Sequence, residues 1–269
     1  MADSLLQFTA YRRLLGARVR SEWQYRTSFA LLLFAQSLTA ALDFALIAVI
    51  FGRVDSLAGW SVAEVALLFG IGGIGFGLAD VFVGQADGAA GHIKAGTFDQ
   101  FLLRPMGPLL QLSAREFNLR RVGKVAQPAL VLAIAVGRVD VDWTAARAAL
   151  VPLALASGAA IFGSVWVITS SVAFWTVDTQ EFANAFTFGG NHLVQYPIDV
   201  LGTWLRRFTI FVVPLAFVAY FPAAYLLDKP ETFGPRALAW LSPVIAAVMV
   251  ALARSVWTTA IRHYRSTGS

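Results

Sequence analysis

The sequence predicts an all-α, polytopic membrane protein with about six transmembrane helices. Of its 269 residues, 58% are hydrophobic and only 14% are charged, whereas soluble globular proteins carry about 25% charged residues. The mean hydropathy is +0.66, and several apolar stretches reach the roughly 20 residues that a helix needs to cross a bilayer. These observations exclude a soluble enzyme and a disordered chain. The absence of cysteine excludes thiolate metal sites and cysteine nucleophiles.

The chain begins with a basic segment, residues 1–26, in which apolar and aromatic residues recur near helical spacing. This pattern predicts a cytoplasmic interfacial helix on the inner leaflet. The alternative is a plain positively charged flank of the first span. Clear apolar spans are predicted at residues 28–51, 62–83, 123–136, 148–174 and 237–257.

Residues 178–228 allow two layouts. In one, residues 208–227 form an ordinary fifth span after a cytoplasmic loop at 182–201. In the other, residues 178–196 form the fifth span, and 203–227 are two short helices that enter from outside and return. Pro214 and Pro222 favour the second layout because proline interrupts a helix interior. Residues 198–228 are therefore predicted to be extracytoplasmic re-entrant helices that cap a path, since irregular backbone at membrane depth must be buried or line a cavity.

The distribution of charge predicts the orientation. Of the 21 Lys and Arg residues, 14 lie in the N-terminal segment, the connection after the second span and the C-terminal tail. The positive-inside rule therefore places both termini in the cytoplasm, which requires an even number of crossings. No long basic run is interleaved with aromatic residues, so nucleic acid is not an expected partner.

Glycines and acidic residues stand out within the spans. Residues 70–75 match GxGxxG but lie inside a span, so Gly73 and Gly77 are predicted to allow close helix packing rather than nucleotide binding. Acidic residues within spans are costly and indicate a polar path, although those near an interface can simply be solvated. The candidates for the translocation path are Asp43, Glu64, Asp80, Asn184, His192, Pro214 and Pro222.

The long connection at 84–122 contains the run IKAGTFDQFLLRP at residues 93–105. Its apolar residues are too few to span, and Phe98, Phe101 and Leu102 would be exposed unless they meet lipid or a partner. We interpret this loop as a docking site for a cytoplasmic subunit; the alternative is an interfacial helix alone. The motif GxxxxGK[ST] is missing, so ATP hydrolysis is expected only in a separate subunit.

The run at 93–105 resembles the membrane permeases of ABC-2-type exporters, within them a branch of bacterial permeases of poorly defined substrate. Similarity extends to Phe188-Gly189, Tyr196-Pro197, and the segments PLAF at 214–217 and YFPA at 220–223. The resemblance implies one permease domain over 1–269 with a fold like that of type V exporters. The residues implied to couple this domain to ATPase subunits are Ile93, Lys94, Gly96, Phe98, Asp99, Phe101, Leu102, Arg104 and Pro105.

The resemblance also implies the partners. Two cytoplasmic ATP-binding-cassette subunits would bind ATP and Mg²⁺, and a second permease subunit, identical or related, would complete the path in the bacterial inner membrane. No cofactor is expected on this chain. Substituting Phe101→Asp is expected to uncouple ATPase activity without destabilising the permease. The alternative functions are a lipid-modifying membrane enzyme that uses Asp43, Asp80 and His192 for acid–base chemistry, and a secondary transporter.

Overall fold

A computed structural model describes residues 56–115, 119–176, 180–229 and 234–264, with positions 16, 31 and 49 individually. The predicted interfacial segment, the first predicted span and Asp43 lie outside these described ranges. Within them, the regular structure is helical, apart from one isolated bridge between Leu57 and Trp60. The prediction of an all-helical membrane protein is confirmed for this part of the chain.

The described ranges contain α-helices joined by short 3₁₀ and π turns. The α-helices are α1 (Val62–Phe82), α2 (Gly88–Lys94), α3 (Asp99–Leu102), α4 (Pro108–Arg115), α5 (Gly123–Val136), α6 (Ala145–Ser171), α7 (Gln180–Val194), α8 (Thr203–Arg207), α9 (Tyr220–Leu226) and α10 (Ser242–His263). The 3₁₀ turns are Gly84–Asp87, Leu119–Val122, Val172–Phe174, Ile198–Val200, Leu215–Phe217 and Arg236–Leu241, and the π turn is Phe208–Val212.

Three helical segments of the described chain are long and apolar enough to cross a membrane: Val62–Phe82, Ala145–Phe174 and Arg236–His263. Their starts follow from local capping. At α1, the Ser61 side chain accepts a hydrogen bond from the Glu64 amide while the Glu64 carboxylate accepts one from the Ser61 amide. At α6, Thr144 caps the helix by accepting from the Arg147 amide, which starts the helix three residues before the predicted span.

Helix α1 is the centre of the bundle, and its glycines let three neighbouring helices approach closely. A Cβ added at Gly73 would lie 2.8 Å from Pro128 of α5, and one at Gly77 would lie 2.9 Å from the Lys124 carbonyl oxygen. Gly72 meets Val194 of α7 in the same way, and Gly75 meets Gly158 of α6. The predicted packing role of Gly73 and Gly77 is confirmed, since only hydrogen fits at these contacts.

The segment over residues 203–226 is broken. Its halves, Thr203–Val212 and Leu215–Leu226, meet at an angle of 74°, and Pro214 lies at the break. The expectation that Pro222 makes a second interruption is wrong. Pro222 is the third residue of α9, and proline is tolerated in the first turn because the amide there needs no helical partner.

Both flanks of this bent segment lie beside the start of α1. On the first flank, the Trp60 indole donates a hydrogen bond of 3.1 Å to Asp199. On the second, the Lys229 ammonium lies 2.8 Å from both the Gly59 carbonyl oxygen and the Glu64 carboxylate. We call the side of the bundle at which α1 ends and α5 begins the loop end. The side with these contacts, at which α1 starts, is the opposite end.

Candidate functional site

The loop at residues 84–122 is held at both of its ends by one buried carboxylate. Asp80, in the last turn of α1, is 0% exposed. One carboxylate oxygen pairs with the Arg121 guanidinium, and the other lies 2.7 Å from the Lys124 ammonium. Arg121 lies in the last turn of the loop, Leu119–Val122, and Lys124 is the second residue of α5. This arrangement, which we call the Asp80 clamp, therefore closes the loop. A side chain at Gly84 would collide with both Asp80 and Arg121.

The two cations of the Asp80 clamp explain why the Asp80 carboxylate can be buried. An ionised carboxylate inside a low-dielectric bundle needs opposite charges within contact distance. About a third of the Arg121 and Lys124 side chains remains exposed, so the cations keep part of their hydration. Asp80 is therefore neither a solvated interfacial residue nor exposed on an open path in this structure.

A second carboxylate ties the start of the loop to α6. Asp87 ends the turn Gly84–Asp87 and accepts hydrogen bonds from the Trp166 indole at 2.8 Å and the Ser170 hydroxyl at 3.0 Å. Burial raises the pKa of the Asp87 carboxyl above its ordinary value and outweighs these two hydrogen bonds, which act to lower it. The folded state is therefore less stable with Asp87 ionised than with Asp87 protonated.

Trp166 connects this carboxylate to the interior of the bundle. Its fully buried ring stacks on Phe76 of α1 with 5.2 Å between centroids, and its edge meets Phe188 of α7 at 5.8 Å. Phe188 also lies 5.2 Å beneath the Lys124 ammonium of the Asp80 clamp. The Asp80 clamp and the Asp87 hydrogen bonds, which together anchor the loop, therefore contact the same cluster of aromatic rings.

The middle of the loop carries its own apolar cluster. Phe98 packs edge to face against Phe174 and Tyr264, each at 5.1 Å between centroids. Phe101 and Trp257 of α10 belong to the same cluster, which we call the loop cluster. Phe98 is 0% exposed and Phe101 only 2%. The expectation that both rings are exposed unless lipid or a partner covers them is wrong, because side chains of α6, of α10 and of the residues that follow these two helices cover them.

Beside the buried rings, the loop presents a short exposed segment. Leu102 is 43% exposed and Leu103 is 85% exposed, and Arg104 and Pro105 are exposed as well. We call residues 102–105 the loop tip. Ile93, by contrast, is partly buried against the loop cluster. Consecutive residues of the predicted coupling run therefore divide into an inward set and an outward set.

Local hydrogen bonds fix the shape of the loop. Lys94 lies in the last turn of α2, which ends because Gly96 adopts a left-handed backbone with φ of +65°. The Gln111 amide donates to the Phe101 carbonyl oxygen at 2.7 Å and to the Met106 carbonyl oxygen at 2.5 Å, which closes the turn around the tip. Burial, together with Asp99 in the first turn of α3, raises the pKa of the Tyr264 phenol.

The remaining predicted path residues are scattered. Glu64 lies at the opposite end, where it completes the helix cap of α1 and pairs with Lys229 at 2.8 Å. Asn184 is half-buried and His192 is exposed, both on α7. Pro214 and Pro222 belong to the bent segment, and Asp43 is outside the described residues. The candidates thus do not converge on one cavity in the described part of the chain.

The positions of Asp80 and His192 also bear on the alternative function, a lipid-modifying enzyme that would use them for acid–base chemistry. Val194, two residues after His192, packs against Gly72, which precedes Asp80 by eight residues or about 12 Å along α1. Asp80 is enclosed by its cations while His192 is exposed, so the two side chains do not share a site. The described residues also contain no group of three or more His, Cys, Asp or Glu side chains that could hold a metal ion.

Several residues of these anchors were not predicted. Asp87, Trp166 and Ser170 carry no motif, and Arg121 and Lys124 are only two of the 14 positive charges that predict the orientation. One signal was available: Asp80 and Asp87 are two turns apart at a span end, where unpaired carboxylates are costly. Their partners lie 41 to 83 positions later, so the sequence did not identify them.

Comparison with known proteins gives one match. A family model described as "ABC-2 family transporter protein" matches residues 37–268. No curated protein and no solved structure matches the chain. The matched range includes α1, the loop, the Asp80 clamp and all the later spans. Together with the apolar helices, this match shows that the chain belongs to the ABC-2 transporter family and is a membrane component of a transport system.

Proposed function

We propose that this chain is the permease subunit of an ATP-driven exporter and that its 84–122 loop receives the force of separate ATPase subunits. The observation that carries the proposal is the division within the loop. Leu103 is 85% exposed, whereas Phe101, two residues before it, is 2% exposed and packed against the spans. An exposed apolar tip on a rigidly anchored loop is typical of a surface that binds a partner and transmits movement.

The anchors suggest how movement at the tip reaches the membrane. A displacement of the tip acts through Phe98 and Phe101 on Phe174, which follows α6, and on Trp257 of α10. It also acts through the Asp80 clamp on α1 and α5. Closely packed helices move as bodies rather than deforming, so ATP-driven closure of the partners would tilt these spans together.

The proposed topology has six spans with both termini in the cytoplasm. The five segments α1, α5, α6, α7 and α10 follow the first predicted span at 28–51, and the bent segment 203–226 would be re-entrant from outside. The contacts of Asp199 with Trp60 and of Lys229 with Glu64 support re-entry, since both flanks return to one end of α1. The loop end, with Arg121 and Lys124, would face the cytoplasm.

The proposed assembly contains two such permease subunits, identical or related, in the bacterial inner membrane. The export path would run between them. Two cytoplasmic ATPase subunits would bind ATP and Mg²⁺, because the phosphate-binding motif GxxxxGK[ST] is missing from this chain. The polar residues Asp43, Asn184 and His192 remain candidates for lining the path.

The test is purification of the tagged chain with the ATPase encoded beside it, followed by titration of binding and ATPase stimulation. Burying a leucine contributes about 1.5–3 kcal/mol, so Leu103→Asp should weaken ATPase binding by roughly 10- to 150-fold. Thermal stability of the isolated permease should stay unchanged, since the side chain is exposed.

Leu241→Asp is the matched control. Leu241 is also an exposed leucine, but it directly precedes α10, away from the loop end. An acidic residue is favourable near the positive end of the helix dipole, and the position is far from the tip, so ATPase binding should match that of the wild type. Equal ATPase binding by Leu103→Asp and the wild type would refute the docking role of the tip. Failure of any ATPase to co-purify would refute the exporter assignment.

A further inference from the structure

A groove between α6 and α10 has the features of a lipid site. It has a cavity volume of about 280 Å³ and opens toward the surface of the bundle. Ala160 and Gly163 of α6 form one wall, and Val250 and Trp257 of α10 form the other. Ser164 also lines it, but its hydroxyl donates to the Ala160 carbonyl oxygen at 2.6 Å. The walls are therefore apolar, and the small residues on α6 leave the space open.

The groove opens on a side of the described bundle where apolar side chains are exposed. Val248 and Leu252 of α10 are 59% and 49% exposed, as expected for a helix that borders hydrocarbon. At the loop end, Val83 and Leu109 close the groove. Because these two residues follow the end of α1, that part of the groove lies near the membrane interface.

Arg254 lines this groove and carries the only charge among the described residues that line it. Arg254 is exposed within the span Arg236–His263, and its guanidinium makes no hydrogen bond or ion pair with another described residue. A cation in a spanning helix is costly unless it reaches an anion or the interface. Arginine can extend along apolar surface and present a planar donor set that matches phosphate.

We propose that this groove binds an anionic phospholipid, with an acyl chain between α6 and α10 and the phosphate bound by Arg254. The membrane itself supplies the ligand at high concentration. The apolar walls match its acyl chains, and the Arg254 cation, which has no partner among the described residues, matches its phosphate. The leaflet concerned is the one at the loop end, which is the inner leaflet if the proposed orientation is correct. The site itself does not depend on export or on an ATPase partner.

The groove also adjoins the loop cluster. Trp257 lines the groove and belongs to that cluster, and Val83 packs against it. A bound acyl chain would therefore contact the side chains that connect the loop to α10. Lipid occupancy is expected to stabilise the folded loop, because a ligand that binds only the folded state stabilises it.

The experiment compares dioleoylphosphatidylglycerol with dioleoylphosphatidylcholine, each titrated into the delipidated full-length protein in detergent. Bound lipid is counted by native mass spectrometry, and thermal unfolding is followed in parallel. The wild type should bind phosphatidylglycerol about tenfold more tightly than phosphatidylcholine. Both lipids present the same phosphate to Arg254, but the positive choline group of phosphatidylcholine opposes the binding of a guanidinium beside it. Glycerol phosphate, which lacks acyl chains, should neither bind nor compete at the same concentrations.

Three substitutions separate the headgroup from the acyl chain. Arg254→Gln should lose the preference for phosphatidylglycerol, while Arg262→Gln, the same change in the last turn of α10, should keep it. Gly163→Leu should abolish binding of both lipids by filling the groove. A Cβ at Gly163 meets its nearest neighbour, Val83, at an ordinary 3.5 Å, so a side chain can begin at this position without a backbone clash.

Three outcomes would overturn the proposal. The first is an unchanged lipid preference in Arg254→Gln, and the second is unchanged lipid binding in Gly163→Leu. The third is a lower melting temperature of Gly163→Leu in delipidated detergent, which would mean that protein fills the groove, either residues 28–51 or a second copy. If Arg254→Gln fails to fold, Arg254→Lys with Gly163→Leu decides the matter, since the lysine variant should keep the preference and the leucine variant should bind neither lipid.

Discussion

Substitution of Gly77 by alanine tests whether the close approach of α1 and α5 holds the bundle together. A Cβ at this position would lie 2.9 Å from the Lys124 carbonyl oxygen and 3.1 Å from the Lys124 carbonyl carbon. Ordinary contacts of this kind begin near 3.4 Å, and backbone atoms cannot rotate away. Helix α5 must therefore retreat by a few tenths of an ångström along with Lys124, whose ammonium lies 2.7 Å from Asp80.

The magnitude follows from two opposing effects. Alanine in place of glycine favours a helix interior by about 1 kcal/mol, while overpacking a tight contact costs about 1–3 kcal/mol. Gly91 of α2 provides the control, because a Cβ there meets nothing within 4 Å and only the favourable effect remains. Gly77→Ala should therefore be less stable than Gly91→Ala by about 1–3 kcal/mol.

The assay is thermal unfolding of both purified variants in the same detergent. For a chain of this size, that difference corresponds to a melting temperature about 2–12 °C lower for Gly77→Ala than for Gly91→Ala. Binding of the ATPase should weaken as well if the Asp80 clamp transmits force. A Gly77→Ala variant that is stabilised as much as Gly91→Ala would refute the argument that α1 and α5 touch at this glycine.

Two further predictions concern the loop. Phe101→Ala should lower the free energy of unfolding by about 3–5 kcal/mol, because it removes a buried ring. Leu103→Ala should change the free energy of unfolding by less than about 0.5 kcal/mol, because this side chain is exposed. Equal shifts of the melting temperature in the two variants would contradict the placement of the two side chains. Because the pKa of Asp87 is raised, the wild type should lose stability as the pH rises from about 3.8 through that raised value. Asp87→Asn cannot ionise, so its melting temperature should rise relative to the wild type across this window in scans from pH 4 to 8, and a constant difference between the two proteins would exclude this role of Asp87.

The burial of Phe101 also changes how one substitution is understood. From the sequence, Phe101→Asp was expected to uncouple the ATPase without destabilising the permease. In the structure, the same substitution places a carboxylate among Phe98, Trp257 and their neighbours, where an unpaired charge is strongly unfavourable. Loss of activity in that variant would report unfolding of the loop, so Leu103 is the better position at which to test coupling.

Features that depend on neighbouring residues could be predicted closely. The predicted span 123–136 coincides with α5, and the span predicted at 62–83 differs from α1 by one residue. The glycines at 73 and 77 were assigned to helix packing because their spacing places them on one helix face. The role of Pro222 could not be predicted in this way. A proline breaks a helix only in its interior, and the residue at which α9 begins depends on the bend at Pro214.

The sequence by itself determined the class of protein, its family and the approximate spans, because hydropathy, charge placement and the run at 93–105 are properties of adjacent residues. Only the tertiary structure decided which charges are paired and which loop side chains are buried. Asp80 meets its cations across the whole loop, and Phe98 meets Tyr264 from the far end of the chain. The physical reason is that the cost of burying a charge or an aromatic ring depends on the atoms that surround it, and those atoms come from distant parts of the chain.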